Sequence, residues 1–173
     1  MPGLGADALT VSPLLGRDSL VPLVDAAREV GGGLFALVRT SNPGAADVQD
    51  RRLADGQTVS EAIAAMLDGL GAPAACGTSG LADVGAVTGA TAPERLQALR
   101  AAMPHAVMLL PGIGPQGGSG EDLAPAFAPG PAGGLVSASR AIVYAHERAG
   151  GDPADCARRE AARLRELVWN LYA

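Results

Sequence analysis

Apolar residues fall along this chain in two kinds of pattern, and the two alternate. Short continuous runs of strand length occupy Asp7 to Ser12, Leu34 to Val38, Ala82 to Thr88, Val107 to Leu110 and Leu135 to Ser139. Unbroken apolar runs of this length are what parallel strands covered on both faces show. Between them, apolar residues recur at helical spacing. Leu20, Leu23, Val24 and Ala27 form one such face, Ile63, Met66, Leu67 and Leu70 a second, and Leu96, Leu99 and Met103 a third. Ala161, Leu164, Leu167, Val168 and Leu171 make the face of a final helix.

Start and stop signals sharpen these elements. The first helix is predicted from about Ser19, with Pro22 in its first turn, and ends at Gly31-Gly32-Gly33. Thr58-Val59-Ser60-Glu61 and Thr91-Ala92-Pro93-Glu94 both have capping-box spacing, and Asp152-Pro153 caps a helix running to about Tyr172. Residues 45–55 read as a short helix or helical loop, residues 71–80 as loop, residues 121–133 as a Pro/Gly-rich surface stretch, and residues 141–149 as a short helix. The charges Arg158, Arg159, Glu160, Arg163, Arg165 and Glu166 read as a solvated helix face.

Strand and helix alternate through five units, which defines an α/β class with a parallel sheet. Helices of these lengths suit either a doubly wound sheet or a barrel. Polar, ligand-type residues directly after the strands favour the barrel, whose functional loops all lie at the strand carboxyl ends.

Composition narrows the partners. The 173 residues are 48% hydrophobic but only 3% aromatic, so the core must be built from Ala, Val, Leu and Ile. A net charge of -5 argues against a nucleic-acid surface. No apolar run reaches membrane-spanning length, and no signal-peptide pattern opens the chain, so the expected setting is cytoplasmic with no membrane partner. Cys76 and Cys156 have no partner spacing and read as reduced packing residues; His105 and His146 read as structural or solvent-exposed, and no zinc pattern is present. All 13 basic side chains are arginine.

Candidate chemistry gathers around Val107 to Gly118. An apolar run stops at Pro111 and opens into Gly112-Ile113-Gly114-Pro115-Gln116-Gly117-Gly118, a loop able to bring backbone N–H groups close to an anion. The next strand delivers Arg140 at the head of a helical segment. A glycine loop and an arginine on neighbouring strand ends are where a β/α barrel holds a phosphate. Arg140 offers a planar fork of donors, each charge-assisted bond being worth about 1.5–3 kcal/mol. Gln116 offers a donor and an acceptor, so it can bridge an anion and a neutral heterocycle. Ser41, ahead of Asn42-Pro43-Gly44, is by itself a turn residue.

In order along the chain, residues 7–16, Thr40-Ser41-Asn42-Pro43-Gly44, residues 85–91, residues 111–118 and Ser139-Arg140-Ala141-Ile142 resemble the orotidine 5'-phosphate decarboxylase family, in particular its longer bacterial branch. The resemblance implies a (β/α)8 (TIM) barrel homodimer converting orotidine 5'-monophosphate to uridine 5'-monophosphate without metal or organic cofactor. It implies that the five units are strands four to eight of that barrel. Ser41 then contacts the pyrimidine edge, and Gln116 reaches both phosphate and, through the serine, the base. Gly117 and Gly118 belong to the phosphate loop, Arg140 clamps the phosphate, and Pro111 lines the pocket near the reacting carbon.

The family's catalytic lysine and its Asp-x-Lys-x-x-Asp element have no counterpart here. The expectation is therefore a partial barrel, short of the first three βα units and inactive alone, with open edges and the inner faces of Leu9, Val11, Leu37, Val87 and Leu109 short of neighbours. Two other readings fit the same residues: a catalytically dead module that binds nucleotide phosphate, and a different sugar-phosphate barrel enzyme.

Overall fold

The structure is a computed structural model that describes residues 5–71, 79–89, 93–112 and 121–171. Five parallel strands, β1 (Ala8–Val11), β2 (Gly33–Arg39), β3 (Val84–Thr88), β4 (Met108–Pro111) and β5 (Gly134–Ser137), pair in the order β1-β2-β3-β4-β5. Sequential order decides between the two architectures open to the sequence. A doubly wound sheet reverses its strand order at a switch point and covers both faces. Here every crossover advances the same way, as in the wall of a barrel, so the helices share one face.

The register separates the two faces. Leu9, Leu34, Val84 and, one pair further along each strand, Val11, Ala36, Ala86, Met108 and Gly134 stand on the helix side; Phe35, Leu37, Gly85, Val87, Leu109, Leu135, Pro111 and Ser137 stand on the other. The main core lies between sheet and helices. It is made of Leu34, Ala36, Val38, Val84, Ala86, Met108 and Leu110 against Leu20, Val24, Ala64, Leu67, Leu96, Leu99 and Met103. Leu37, Val87 and Leu109 lie on the helix-free face as expected, but Leu9 and Val11 do not. Counting along a parallel register puts those two with Leu34 and Ala36, and Leu9 is 54% exposed because it lies on an edge strand rather than an inner wall. On the helix-free face the Phe35 ring packs against Gly85, where an added Cβ would fall 2.7 Å from it.

The helices follow the apolar spacing with adjusted ends. Helix α1 (Arg17–Glu29) begins two residues before Ser19, so Pro22 falls in the second turn rather than the first. A four-residue helix α2 (Ala45–Val48) and α3 (Val59–Gly71) follow β2. Glu61 Oε2 accepts from the Thr58 amide at 2.6 Å while Thr58 Oγ1 accepts from the Glu61 amide at 3.2 Å, the reciprocal capping box expected from the spacing. Helix α4 (Pro93–Ala102) follows β3; Thr91 and Ala92 of the second capping box lie outside the described residues. Residues 139–149 form two short helices, α5 (Ser139–Val143) and α6 (Ala145–Ala149), rather than one. Helix α7 (Pro153–Asn170) is capped by Asp152, which accepts from the Asp155 amide at 3.0 Å.

The stretch before β5 is not the surface loop its Pro and Gly content suggests. Residues 121–127 and 131–133 form 3-10 turns that bury Leu123, Ala126 and Phe127. Arg100 of α4 explains their folding. Its guanidinium is buried with no carboxylate partner among the described residues, and donates to the carbonyls of Met103 (3.0 Å), Ala106 (2.7 Å), Ala126 (2.7 Å) and Gly133 (2.9 Å). At the amino ends of the strands, Arg28 of α1 joins Asp83 at 2.5 Å and the Leu70 carbonyl at 2.9 Å, a brace on the face that barrels use for stability. Among the described residues, no helix is long and apolar enough to cross a membrane.

Candidate functional site

Parallel strands place all their carboxyl ends on one edge, and that edge collects the described candidates. Arg39 ends β2 and is followed by the Thr40-Ser41-Asn42 loop; Thr88 ends β3 and is followed by Gly89. Pro111 ends β4 on the helix-free face, paired with Ser137 of β5. Arg140 is the second residue of α5, directly beyond β5, with an exposed side chain. Gln116, Gly117 and Gly118 lie outside the described residues.

The first two strand ends meet directly. An added Cβ on Gly89 would lie 2.8 Å from the Ser41 amide nitrogen, 2.8 Å from its Cα and 2.9 Å from its Cβ. Only glycine fits there, and its amide donates to the Arg39 carbonyl at 2.6 Å. The half-buried Ser41 is therefore seated against Gly89, directly after β3.

Side chains hold the same loop from the other side. The Thr40 amide donates to Gln49 Oε1 at 2.7 Å, and Gln49 Nε2 donates to Thr40 Oγ1 at 3.1 Å. Thr40 Oγ1 in turn donates to Asn42 Oδ1 at 2.6 Å. Arg39 Nη1 donates to the Thr40 carbonyl at 3.0 Å, while Arg39 Nη2 pairs with Asp50 Oδ2 at 3.1 Å. Arg95 of α4 approaches the other Asp50 oxygen at 3.9 Å. Both backbone polar groups of Thr40, its N–H and its C=O, are thus satisfied by side chains. Gln49 and Asp50 carry no recognisable sequence signal; they sit in the segment read only as helical loop.

The other singled-out residues lie elsewhere. Among the described residues, His105 and His146 bond backbone carbonyls, Gly80 at 3.1 Å and Val143 at 3.2 Å. Cys156 is a buried free thiol that donates to the Gly150 carbonyl and accepts from Arg159; Cys76 is outside the described residues. The charges of α7 are mostly exposed, but Glu160 is held between Arg163 at 2.8 Å and Arg148 at 3.8 Å. The Arg163 hydrogen bond keeps its carboxyl below the usual carboxylate range. A cleft of about 290 Å³ beside it is lined by Arg148, Cys156, Arg159 and Arg163, and includes none of the strand-end candidates among its described lining. Among the described residues no group of three or more His, Cys, Asp or Glu side chains is placed to share a metal ion.

A sheet wound in one direction, with its loops meeting at the strand carboxyl ends, defines part of a β/α-barrel enzyme fold. Residues 3–150 match the orotidine 5'-phosphate decarboxylase / HUMPS family. The chain is 49% identical over 160 residues to orotidine 5'-phosphate decarboxylase of Deinococcus radiodurans, covering 92% of this chain and 55% of that protein. It is 48% identical over 144 residues to the Rhodopirellula baltica enzyme of the same name, covering 83% of this chain and 47% of that protein. Among solved structures, a candidate orotidine 5'-phosphate decarboxylase of Streptomyces avermitilis superimposes with a TM-score of 0.74 at 36% identity, over 97% of this chain and 55% of that one. The Leishmania donovani OMP decarboxylase gives 0.66 at 30%, over 96% and 58%. This chain belongs to the orotidine 5'-phosphate decarboxylase family, and it spans about half the length of the curated relatives it matches.

Proposed function

We propose that these residues are the phosphate-gripping and base-edge part of an orotidine 5'-phosphate decarboxylase, equivalent to strands four to eight of its barrel. The observation that carries the reading is the seating of Ser41 on Gly89, on the same edge of the sheet as Pro111 and Arg140. In this reading Ser41 meets the pyrimidine edge and Pro111 lines the pocket. Gln116, Gly117, Gly118 and Arg140 hold the phosphate of orotidine or uridine 5'-monophosphate.

Decarboxylation leaves a carbanion, which needs a cation beside it and then a proton. These 173 residues contain no lysine, and a guanidinium holds its proton too tightly to serve as that acid near neutral pH. In this reading the proton donor is the family's lysine, supplied from beyond these residues. A cytoplasmic homodimer acting without cofactor or nucleic acid is part of the same proposal, and the net charge of -5 supports the last point.

The test is a thermal-shift comparison of uridine 5'-monophosphate with uridine. The nucleotide is expected to stabilise the chain and the nucleoside to do so far less. Arg140→Ala is expected to weaken nucleotide binding about tenfold or more, the loss of one charged hydrogen bond. Equal shifts for nucleotide and nucleoside, or an unchanged affinity in Arg140→Ala, would overturn the reading.

A further inference from the structure

We infer that Gln49 is a positioning residue for Ser41: it fixes Thr40, the residue before Ser41, through its amide and hydroxyl, and so sets where the serine hydroxyl meets the base edge of the ligand. The inference rests on the proposed function for what Ser41 touches, but not for the clamp itself.

The clamp is built from a backbone that is itself fixed. The Gln49 amide donates to the Ala45 carbonyl at 2.7 Å, closing α2, and its carbonyl accepts from the Ser60 amide at 2.9 Å, in the first turn of α3. That turn is pinned by the Thr58–Glu61 capping box. From this anchored position the carboxamide addresses one residue twice, accepting from the Thr40 amide and donating to its hydroxyl. An amide is suited to this task because it carries both polarities; a carboxylate could only accept, and an ammonium only donate.

The remaining constraints on the loop come from different directions. Gly89 bears on Ser41 from β3, and Arg39, aimed by Asp50, holds the Thr40 carbonyl. If Gln49 is removed, the Thr40 amide loses its partner and the loop can rotate about the Arg39–Thr40 link. Arg140 belongs to another strand end, directly beyond β5. The phosphate end of the ligand should therefore be insensitive to the change, which separates positioning from general damage.

Two measurements decide the matter in the full 173-residue chain. The first uses no ligand: amide hydrogen exchange is expected to rise at Thr40 in Gln49→Ala by about tenfold or more, the loss of one part-buried hydrogen bond, while core amides of β3 keep their protection. The second compares affinities for uridine 5'-monophosphate and ribose 5-phosphate. Gln49→Ala is expected to weaken the nucleotide about five- to tenfold and leave ribose 5-phosphate within about twofold. Gln49→Glu keeps the acceptor for the Thr40 amide and can accept from its hydroxyl, so it is expected to restore slow exchange at Thr40. Unchanged exchange at Thr40 in Gln49→Ala would overturn the inference, as would equal loss of both ligands. A wild-type chain that binds neither ligand would sink the proposed function, and the exchange measurement would still decide the clamp.

Discussion

At the scale of single residues, Arg100 ties together segments that lie far apart in the chain, with no acid beside it among the described residues. The two terminal nitrogens of its flat fork satisfy carbonyls from the turn between α4 and β4 and from both 3-10 turns before β5 at once. Burial pushes its pKa down to about 10, which still leaves it charged at neutral pH. The carbonyl oxygens, each a partial negative charge, take the place of a counter-ion. Arg100→Met keeps the apolar stem but strands the Ala106, Ala126 and Gly133 carbonyls. At about 1–3 kcal/mol for each buried unpaired group, it is expected to lower stability by about 3 kcal/mol or more. Arg100→Lys is expected to recover only part of this, since one ammonium cannot reach acceptors on opposite sides. Denaturant midpoints of the three proteins measure both effects, and a Met variant as stable as the parent would refute the account. The sequence holds a hint of this role. Arg100 lies four residues after Leu96 and three before Met103, on the face that those residues bury. The reading of the following segment as surface missed it because Pro and Gly content reports turns, not exposure; Leu123, Ala126 and Phe127 are the apolar residues that fold it inward.

Elements were legible wherever a local rule acts without help from distant parts of the chain. The Thr58–Glu61 box is such a case, since both partners lie within one turn and the spacing alone specifies the bonds. Its energetics are also local. The Thr58 amide, and then its hydroxyl, hold the Glu61 carboxyl below its ordinary 4.5; partial burial opposes this, and Arg95 and Arg52 add smaller attractions. A depressed carboxylate pKa means that the folded state binds fewer protons than the unfolded one. Its contribution is therefore present above the ordinary 4.5 and is lost as pH falls through the folded value. Glu61→Gln keeps a capping acceptor but not the charge. Because the group is largely solvated and screened, the variant is expected to cost only about 0.5 kcal/mol at pH 7. That difference should close towards zero below the ordinary carboxylate range. Urea unfolding at pH 7 and pH 3 tests this, and a difference that stays constant with pH would show that the charge is irrelevant to the cap. Helix α1 marks the limit of local rules. Its start at Arg17 and the second-turn position of Pro22 depend on where β1 ends and how the crossover reaches β2, which no spacing of apolar residues encodes. The Gln49–Thr40 clamp was hidden for the same reason: it joins residues nine apart across a loop, and nothing in their types announces the pairing.

For the whole molecule, the decisive feature is a sheet wound one way and covered on one face. The motif order along the chain made the strand-end edge legible, with Ser41, Pro111 and Arg140 all placed on it. The face assignments of Leu9 and Val11 were not legible, because register in a parallel pair is fixed by the crossover rather than by the strand's own sequence. Among the described residues, the outer edges of β1 and β5 have no neighbouring strand, and Leu9 and Leu135 on them are 54% and 51% exposed. Parallel edges with unpaired backbone groups and adjoining leucines are templates for association. The 173-residue chain alone is therefore expected to self-associate, with a sedimentation profile that shifts with concentration. It is also expected to form no uridine 5'-monophosphate from orotidine 5'-monophosphate. In the proposed reading Arg140 and Ser41 hold the substrate, but an interaction equal in ground and transition states does not speed the chemical step, and these residues include no lysine to donate the proton. Both shortfalls have one remedy in this account, a polypeptide bringing further parallel βα units and a lysine to the open edges. Adding one is expected to narrow the sedimentation profile to a single defined species and to give turnover. If the chain alone is a concentration-independent monomer with a sharp cooperative transition, its five strands close without help and the edge argument fails. If the chain alone turns over substrate, the proton comes from a group other than lysine, and the chemistry assigned to this edge is wrong.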